Sequence, residues 1–198
     1  MDIDYRLIAD AVEFYQARGY QPVEVPWLLP KDAVEATIPA GLRVHETFAG
    51  CLPGSGEQSF VQLMKDRDLR CGKYLCVTPC FRDEPVLDDL HRAYFLKVEL
   101  LGIPQYGYNI HTSAAAVLND AVAFFLLHVP SVRIVQFGDS SYAPKDILSP
   151  AGTELGSYGI RDPNGLNYAY GTGCAEPRLS QARREPRVST EILPVQKA

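Results

Sequence analysis

Residues 74–101 read YLCVTPCFRDEPVLDDLHRAYFLKVELL. Both ends of this stretch, Tyr74–Phe81 and Ala93–Leu101, are rich in aromatic and aliphatic residues, and a polar break over Glu84–Asp89 separates them. About ten residues between two strands predict an antiparallel hairpin with a long loop. Side chains alternate along a strand, so Arg82 and Glu84 share one face, as do Phe95, Lys97 and Glu99 on the return. One face of the hairpin thus offers a guanidinium, a carboxylate and an aromatic plane, with His91 and Arg92 where the chain re-enters. Those groups can hold a nucleotide: a fork for phosphate, an acceptor for an exocyclic amine and a ring to stack on the base. The same residues also read as a surface ion-pair cluster beside a core phenylalanine.

Outward from the hairpin, Asp4 can cap a helix in which Leu7, Ile8, Ala11, Val12 and Tyr15 recur at helical spacing before Gly19. Tyr20–Leu29 alternates, with Val23, Val25 and Trp27 on one face, and Pro26 and Pro30 suggest an edge strand or an interface. Gly41–Gly56 reads as strand and loop, and helical spacing returns at Phe60, Leu63 and Met64. Thr112 or Ser113 caps a helix through about His128. Val132–Phe137, Glu154–Ile160 and Tyr168–Gly171 look like strands, and a short helix starts after Pro177. The sum is an α+β fold, a mostly antiparallel sheet flanked by about three helices. Residues 1–182 read as one domain and 183–198 as a tail. Tyr106 and Tyr108 read equally as sheet packing or pocket lining.

The 198 residues are 46% hydrophobic and 22% charged with a net charge of −5, which suits one globular domain and excludes disorder, collagen and a disulfide miniprotein. Lys and Arg are scattered without a basic stripe, so nucleic acid is not the default partner. The longest apolar stretch, Ala121–Val129, is about half of a bilayer span, and Met1–Asp4 is acidic where a signal peptide is basic. A soluble cytoplasmic protein with no membrane partner is expected. Five cysteines at irregular spacing read as free thiols; Cys71, Cys76 and Cys80 lack the knuckle spacing of a zinc site.

A second constellation lies in YGTGCAEPR, residues 170–178. Gly171 and Gly173 allow close backbone approach, and Arg178 one turn later can face a phosphate. The stretch lacks the third glycine of the dinucleotide fingerprint and the lysine of a P-loop.

Three stretches together resemble the catalytic core of the class II aminoacyl-tRNA synthetases, in the family's order. ARGYQPVEVPWLLP (17–30) resembles motif 1, with Pro26 as its proline, which implies a homodimer interface. CFRDEPVLDDLHRAYFLKVEL (80–100) resembles motif 2, and GTGCAEPR (171–178) resembles motif 3. The resemblance implies that Arg82 grips the α-phosphate of ATP, that Phe95 and Arg178 sandwich the adenine, that Glu84 accepts from its amino group and that His91 meets the γ-phosphate. The implied reaction is attack of an amino-acid carboxylate on the α-phosphorus, giving an aminoacyl-adenylate and pyrophosphate. Catalysis is then positioning and electrostatics by Arg82, Arg178 and Mg²⁺.

Two more stretches resemble the aspartyl, asparaginyl and lysyl subgroup. GEQSFVQLM (56–64) implies Gln58, with Glu57 as competing candidate, as the contact to the amino acid. ELGSYGIR (154–161) implies Glu154 and Ser157 as Mg²⁺ ligands. It also implies Arg161 as the reader of an aspartate or asparagine side chain. Ala175 and Pro177 depart from motif 3. The chain starts directly at motif 1, so a core without the anticodon-reading barrel is expected, and the acceptor is tRNA or another group. The competing expectations are an amide-forming ligase like the synthetase-like asparagine synthetases, and a non-catalytic sensor that only binds amino acid or nucleotide.

Overall fold

The computed structural model describes residues 3–38, 41–84, 86–105, 107 and 109–185. Tyr106, Tyr108 and residues 186–198 of the expected 183–198 tail lie outside them. Asp4 accepts from the Arg6 amide at 2.9 Å and starts α1 (Tyr5–Gln16), which buries Leu7, Ile8, Ala11 and Tyr15 as its spacing predicts. The alternating stretch that follows makes a shorter strand than expected. Only β1 (Gln21–Pro22) joins the sheet, parallel to Tyr74–Leu75, and Val23 adds one bond to Leu75. Pro22 and Pro26 lack the N–H that a longer ladder needs, so the chain leaves the sheet, with Val25 buried and Trp27 exposed.

There follow α2 (Lys31–Glu35), a small hairpin of β2 (His45–Thr47) and β3 (Gly50–Leu52), and α3 (Gly56–Lys65). Then come β4 (Gly72–Phe81), β5 (Tyr94–Ile103), α4 (Ile110–Phe125), β6 (Arg133–Gln136), β7 (Lys145–Leu148), β8 (Glu154–Arg161), β9 (Tyr168–Glu176) and α5 (Arg178–Arg184). Asn109, rather than Thr112 or Ser113, caps α4: its side chain accepts from the His111 amide at 2.9 Å. The short α2 and β7 escaped the periodicity reading, being too brief to show one. Among the described residues no helix is long and apolar enough to cross a membrane.

Seven strands form one sheet in the order β1-β4-β5-β9-β8-β7-β6, antiparallel except for β1 with β4. The expected hairpin is β4–β5, paired from Gly72 opposite Ile103 to Phe81 opposite Tyr94. Alternation sorts its side chains. Leu75, Val98 and Leu100 join α1 and α4 in one core with Tyr15, Phe124 and Phe125. Cys76 and Leu101 join Phe60, Val61 and Met64 of α3 in a second. Helices therefore cover both faces, and α3 lies on the face that carries Phe95, Lys97 and Glu99.

The approach of α3 to the sheet depends on Gly56. A Cβ there would stand 2.9 Å from the Glu99 Cβ and 3.0 Å from both the Thr78 Oγ1 and the Cys76 Sγ. These are short side chains close to their backbones and have little room to yield. Gly56→Ala is expected to lower stability by about 1–3 kcal/mol through overpacking, read as a lower urea midpoint with unchanged m; a midpoint at or above the parent's would show that α3 does not need this approach.

Candidate functional site

The end of β4 launches the polar loop. The Arg82 amide adds one more bond to the hairpin, donating to the Ala93 carbonyl at 3.0 Å. Its Nε donates to the Gly54 carbonyl at 3.2 Å, which swings the guanidinium over the sheet to 5.1 Å from the Phe95 ring centroid. Glu84 Oε1 lies 4.0 Å from Arg82 Nη1. The guanidinium, carboxylate and ring expected on one face are thus together. Arg178, the first residue of α5, joins them from β9's end, lining a recess of about 20 Å³ with Arg82, Glu84, Arg92 and Phe95. Its Nη1 is 2.9 Å from Glu154 Oε1, so the candidate base clamp and the candidate metal ligand hold each other.

His91 stands on the exposed loop with Nδ1 3.0 Å from both Asp88 oxygens. That contact, with the amides of His91 and Leu90, holds the Asp88 carboxyl down at about 2. The loop is also tied to α5, where the Gln181 Nε2 donates to the Asp89 carbonyl.

Between α3 and the sheet lies a cavity of about 240 Å³, lined among others by Ser55, Glu57, Arg82, Lys97, Glu99 and Arg161. Its floor is charged. Lys97 Nζ is 2.9 Å from Glu99 Oε2, and the Ser55 hydroxyl donates to the same oxygen at 2.6 Å. Glu57 is 5% exposed, with Arg161 Nε 2.8 Å from its Oε1 and the Tyr168 hydroxyl donating to that oxygen at 2.9 Å. Arg161 lies over Tyr170, its Cζ 4.8 Å from the ring centroid. Burial pushes the Glu57 carboxyl up to about 7, the Glu99 charge adds to that, and Arg161, Tyr168 and Lys97 oppose it.

Gln58, the first candidate for amino-acid contact, also lines the cavity, but its side chain is engaged at both ends. Its Nε2 donates to the Val34 carbonyl at 3.0 Å and its Oε1 accepts from the Gly54 amide at 2.7 Å. It ties α2 to the turn before α3, and the neighbouring Glu57 is the residue that meets Arg161. Ser55, Tyr168 and Tyr170 were missed in the sequence; Lys97 and Glu99 carried a signal, sharing Phe95's face at two-residue steps.

Glu154 and Ser157 line the same cavity from β8. Across the ladder Asp146 stands opposite Ser157. Burial, and then the Glu154 charge, raise the Asp146 carboxyl, with the facing Ser157 hydroxyl opposing. No group of three or more His, Cys, Asp and Glu suited to a metal occurs among the described residues. Two carboxylates and a hydroxyl remain a set of hard oxygens, which fits an ion that takes its other ligands from phosphates and water.

One expectation changes in meaning. Gly171 and Gly173 do not open the backbone toward a phosphate. A Cβ on Gly171 would meet Tyr158 at 2.5 Å and Val117 at 2.6 Å, and one on Gly173 would meet Tyr15 at 2.8 Å. These glycines let core side chains pack on the far face of β9. Cys51, Cys76, Cys80 and Cys174 are buried, and burial pushes the Cys80 thiol up to about 12, while Cys71 is exposed. The Pro26 carbonyl accepts from the Ser59 hydroxyl at 2.7 Å, bracing α3, and exposed Trp27 and Leu28 follow it.

No protein-family model and no curated protein matches the chain. Among solved structures it superposes on a pyrrolysyl-tRNA synthetase from Desulfitobacterium hafniense with a TM-score of 0.69 and 16% identity, covering 90% of this chain and 68% of that one. PylSc, a pyrrolysyl tRNA synthetase from the same organism, gives a TM-score of 0.71 at 16% identity with the same coverage. The cytoplasmic serine-tRNA ligase from Naegleria fowleri, solved in complex with AMP, gives 0.68 at 16% identity, covering 89% of this chain and 52% of that one. The chain has the catalytic fold of the class II synthetases. These neighbours do not single out the aspartyl, asparaginyl and lysyl subgroup.

The raised Glu57 carboxyl has a thermodynamic signature. Between the ordinary 4.5 and about 7 the folded state keeps a proton that the unfolded state releases, so stability falls as pH rises through that window. In urea unfolding against pH, Glu57→Gln is expected to remove about one proton's worth of that slope. An unchanged slope would place the titration elsewhere.

Proposed function

We propose that this chain is an ATP- and Mg²⁺-dependent enzyme that activates an amino acid as its adenylate. The supporting observation is the layout of one polar cleft. Arg82, Glu84, Phe95 and Arg178 converge at one end, and Glu57, Glu99, Lys97 and Arg161 form the other. A base and its phosphates match the first set, and a small zwitterion matches the second. The 16% likeness to synthetases, one of them holding AMP, supports the same reading.

In this reading Phe95 stacks on the adenine with Arg178 on its other face, and Glu84 accepts from the exocyclic amine. His91 reaches the γ-phosphate from the loop. Arg82, steered by Gly54, points at the α-phosphate, where charge grows as the amino-acid carboxylate attacks in line and pyrophosphate leaves. Fixed cationic donors aimed at developing charge stabilise the transition state more than the ground state. Glu154 and Ser157, with Asp146, would hold Mg²⁺, which supplies charge neutralisation for the departing pyrophosphate. Aspartate or asparagine is the favoured substrate, through Arg161. The activated acyl group passes to tRNA or another acceptor, in a cytoplasmic homodimer joined through the segment around Pro26.

Amino-acid-dependent ATP–pyrophosphate exchange tests the proposal. The expected result is exchange with aspartate or asparagine, lost by about 10²–10³-fold in Arg82→Ala, as for removal of one transition-state donor. Sedimentation of Arg82→Ala is expected to match the parent dimer. Absence of exchange with all twenty amino acids under conditions where ATP binds would overturn the enzyme reading.

A further inference from the structure

On the α4 face of the sheet, away from the cleft, a cavity of about 210 Å³ lies between the first half of α4, the turn joining β6 to β7 and residues 158–160 of β8. We propose that it is a second ligand site, which takes a small organic monocarboxylate with a flat apolar body, its carboxylate on Lys145 and its body against Leu118 and Ile160. Adenylation in the cleft gives this cavity no task, and the inference does not depend on that reading.

The space follows from the residues on its walls. Ala114 and Leu118 stand one turn apart on the same side of α4, Gly159 brings no side chain from β8, and Ala143 lies on the turn. Short residues thus occupy three positions where longer ones would fill the gap. The turn is fastened to the helix beside the cavity: the Tyr142 ring stacks on His111 with centroids 3.4 Å apart and planes at 22°. An apolar cavity of about 150 Å³ admits benzene, so this one has room for a ring with a short acidic arm.

Lys145 sets the charge of the occupant. In the β7–β8 ladder Lys145 stands opposite Tyr158 and Asp146 opposite Ser157, so alternation puts the lysine on the α4 side and the acid on the cleft side. Its neighbours on the α4 side, Ile147 and Tyr158, are core residues, and an ammonium breaks that apolar pattern. The Lys145 Nζ donates to the Ser141 and Ala143 carbonyls at 2.8 and 3.1 Å, and both residues line the cavity. Those bonds hold the ammonium at the cavity wall and use two of its three N–H groups. The charge itself has no carboxylate partner among the described residues. A ligand carboxylate supplies the missing acceptor and the counter-charge together, in a recess poor in water where a charge-assisted bond gains strength. A cationic ligand would face Lys145, and a neutral one would leave its charge unanswered. The Tyr158 hydroxyl does not compete for the ligand, since it donates to the Thr172 carbonyl at 2.6 Å.

Titration of the whole chain with benzoate and phenylacetate, followed by NMR, tests this, with benzamide as the neutral counterpart of benzoate. Either acid is expected to bind once per chain with a dissociation constant of about 1 mM or below, within reach of roughly ten non-hydrogen atoms. Benzamide is expected to bind about tenfold more weakly or worse, for want of the charge-assisted bond. Nuclear Overhauser contacts from the ring protons to the methyl groups of Ala114 and Ala143 place the acid in the cavity. Binding is expected to persist with ATP present and in Arg82→Ala, which separates this site from the cationic cleft. Lys145→Met, which keeps the stem and removes the charge, should bring benzoate down to the level of benzamide, and Ala114→Leu should fill the space and abolish binding of both. Benzamide bound as tightly as benzoate by the parent protein overturns the inference without recourse to any variant. So does acid binding that ATP or Arg82→Ala removes, or no saturable binding of any of the three probes. A sedimentation coefficient that falls as benzoate is added would make a second copy of the chain the occupant, and overturns it as well.

Discussion

Two carboxylates, Glu57 and Glu99, are buried where α3 meets β5, at 5% and 1% exposure, and the site is organised around compensating them. An ionised carboxylate taken out of water is costly unless paired and hydrogen-bonded. Glu99 is answered by Lys97 and the Ser55 hydroxyl, Glu57 by Arg161 and the Tyr168 hydroxyl. These partners come from β5, the α3 cap, β8 and β9, so satisfying two acids fixes four segments relative to one another. Such pairs are not strong stabilisers in sum, but loss of one partner leaves a buried charge worth about 3–5 kcal/mol. The constraint therefore acts on arrangement more than on stability.

Close approach makes that arrangement possible. Gly56 lets the first turn of α3 lie against Thr78 and Cys76, and Ser55, whose oxygen also accepts from the Glu57 amide as the helix cap, then reaches Glu99. One serine serves both the helix end and the buried acid. On the opposite face of the sheet, Gly171 and Gly173 do the same for Tyr158 and Tyr15, whose hydroxyls donate to the backbone carbonyls of Thr172 and Gly173. Beta9 is thus pinned from the core side while its other face, with Tyr168 and Tyr170, stays available to the cavity.

What the sequence made legible was whatever depends on local period and spacing. The β4–β5 hairpin, the shared face of Phe95, Lys97 and Glu99, and the capped first helix all follow from alternation or from 3.6-residue recurrence. The meeting of Arg82, Glu84 and Phe95 was legible because all three lie on one hairpin. What stayed hidden depends on contacts between distant segments. Glu57 and Arg161 are 104 positions apart in the numbering, and nothing local distinguishes Glu57 from Gln58 until α2 and Gly54 claim the glutamine. The glycines of 171–173 illustrate the same limit: a glycine reports that something comes close, and only the fold says whether it is a ligand or a tyrosine.

The end of the cleft at Arg82 and Arg178 is held differently. Its loops hang on α5, a helix of seven residues. Arg178 at the start of that helix holds Glu154, Gln181 in its middle holds the Asp89 carbonyl, and Glu185 just past its end accepts from Ser149 at 2.6 Å and Thr153 at 2.5 Å. The helix is itself anchored through Glu176, which accepts from the Ser180 amide and hydroxyl and from the Asp4 amide. One short helix thereby couples the 83–93 loop to the turn between β7 and β8. The Arg178–Glu154 contact is a part-exposed link of that chain, with side-chain exposures of 22% and 44%; at the other end the acids Glu57 and Glu99 are buried, although Glu57's partner Arg161 is itself 40% exposed. Exposed pairs contribute little, whereas breaking a buried one leaves an uncompensated charge. The cleft thus joins an end built on two buried acids to an end whose arginine and carboxylate, Arg178 and Glu154, are both partly exposed.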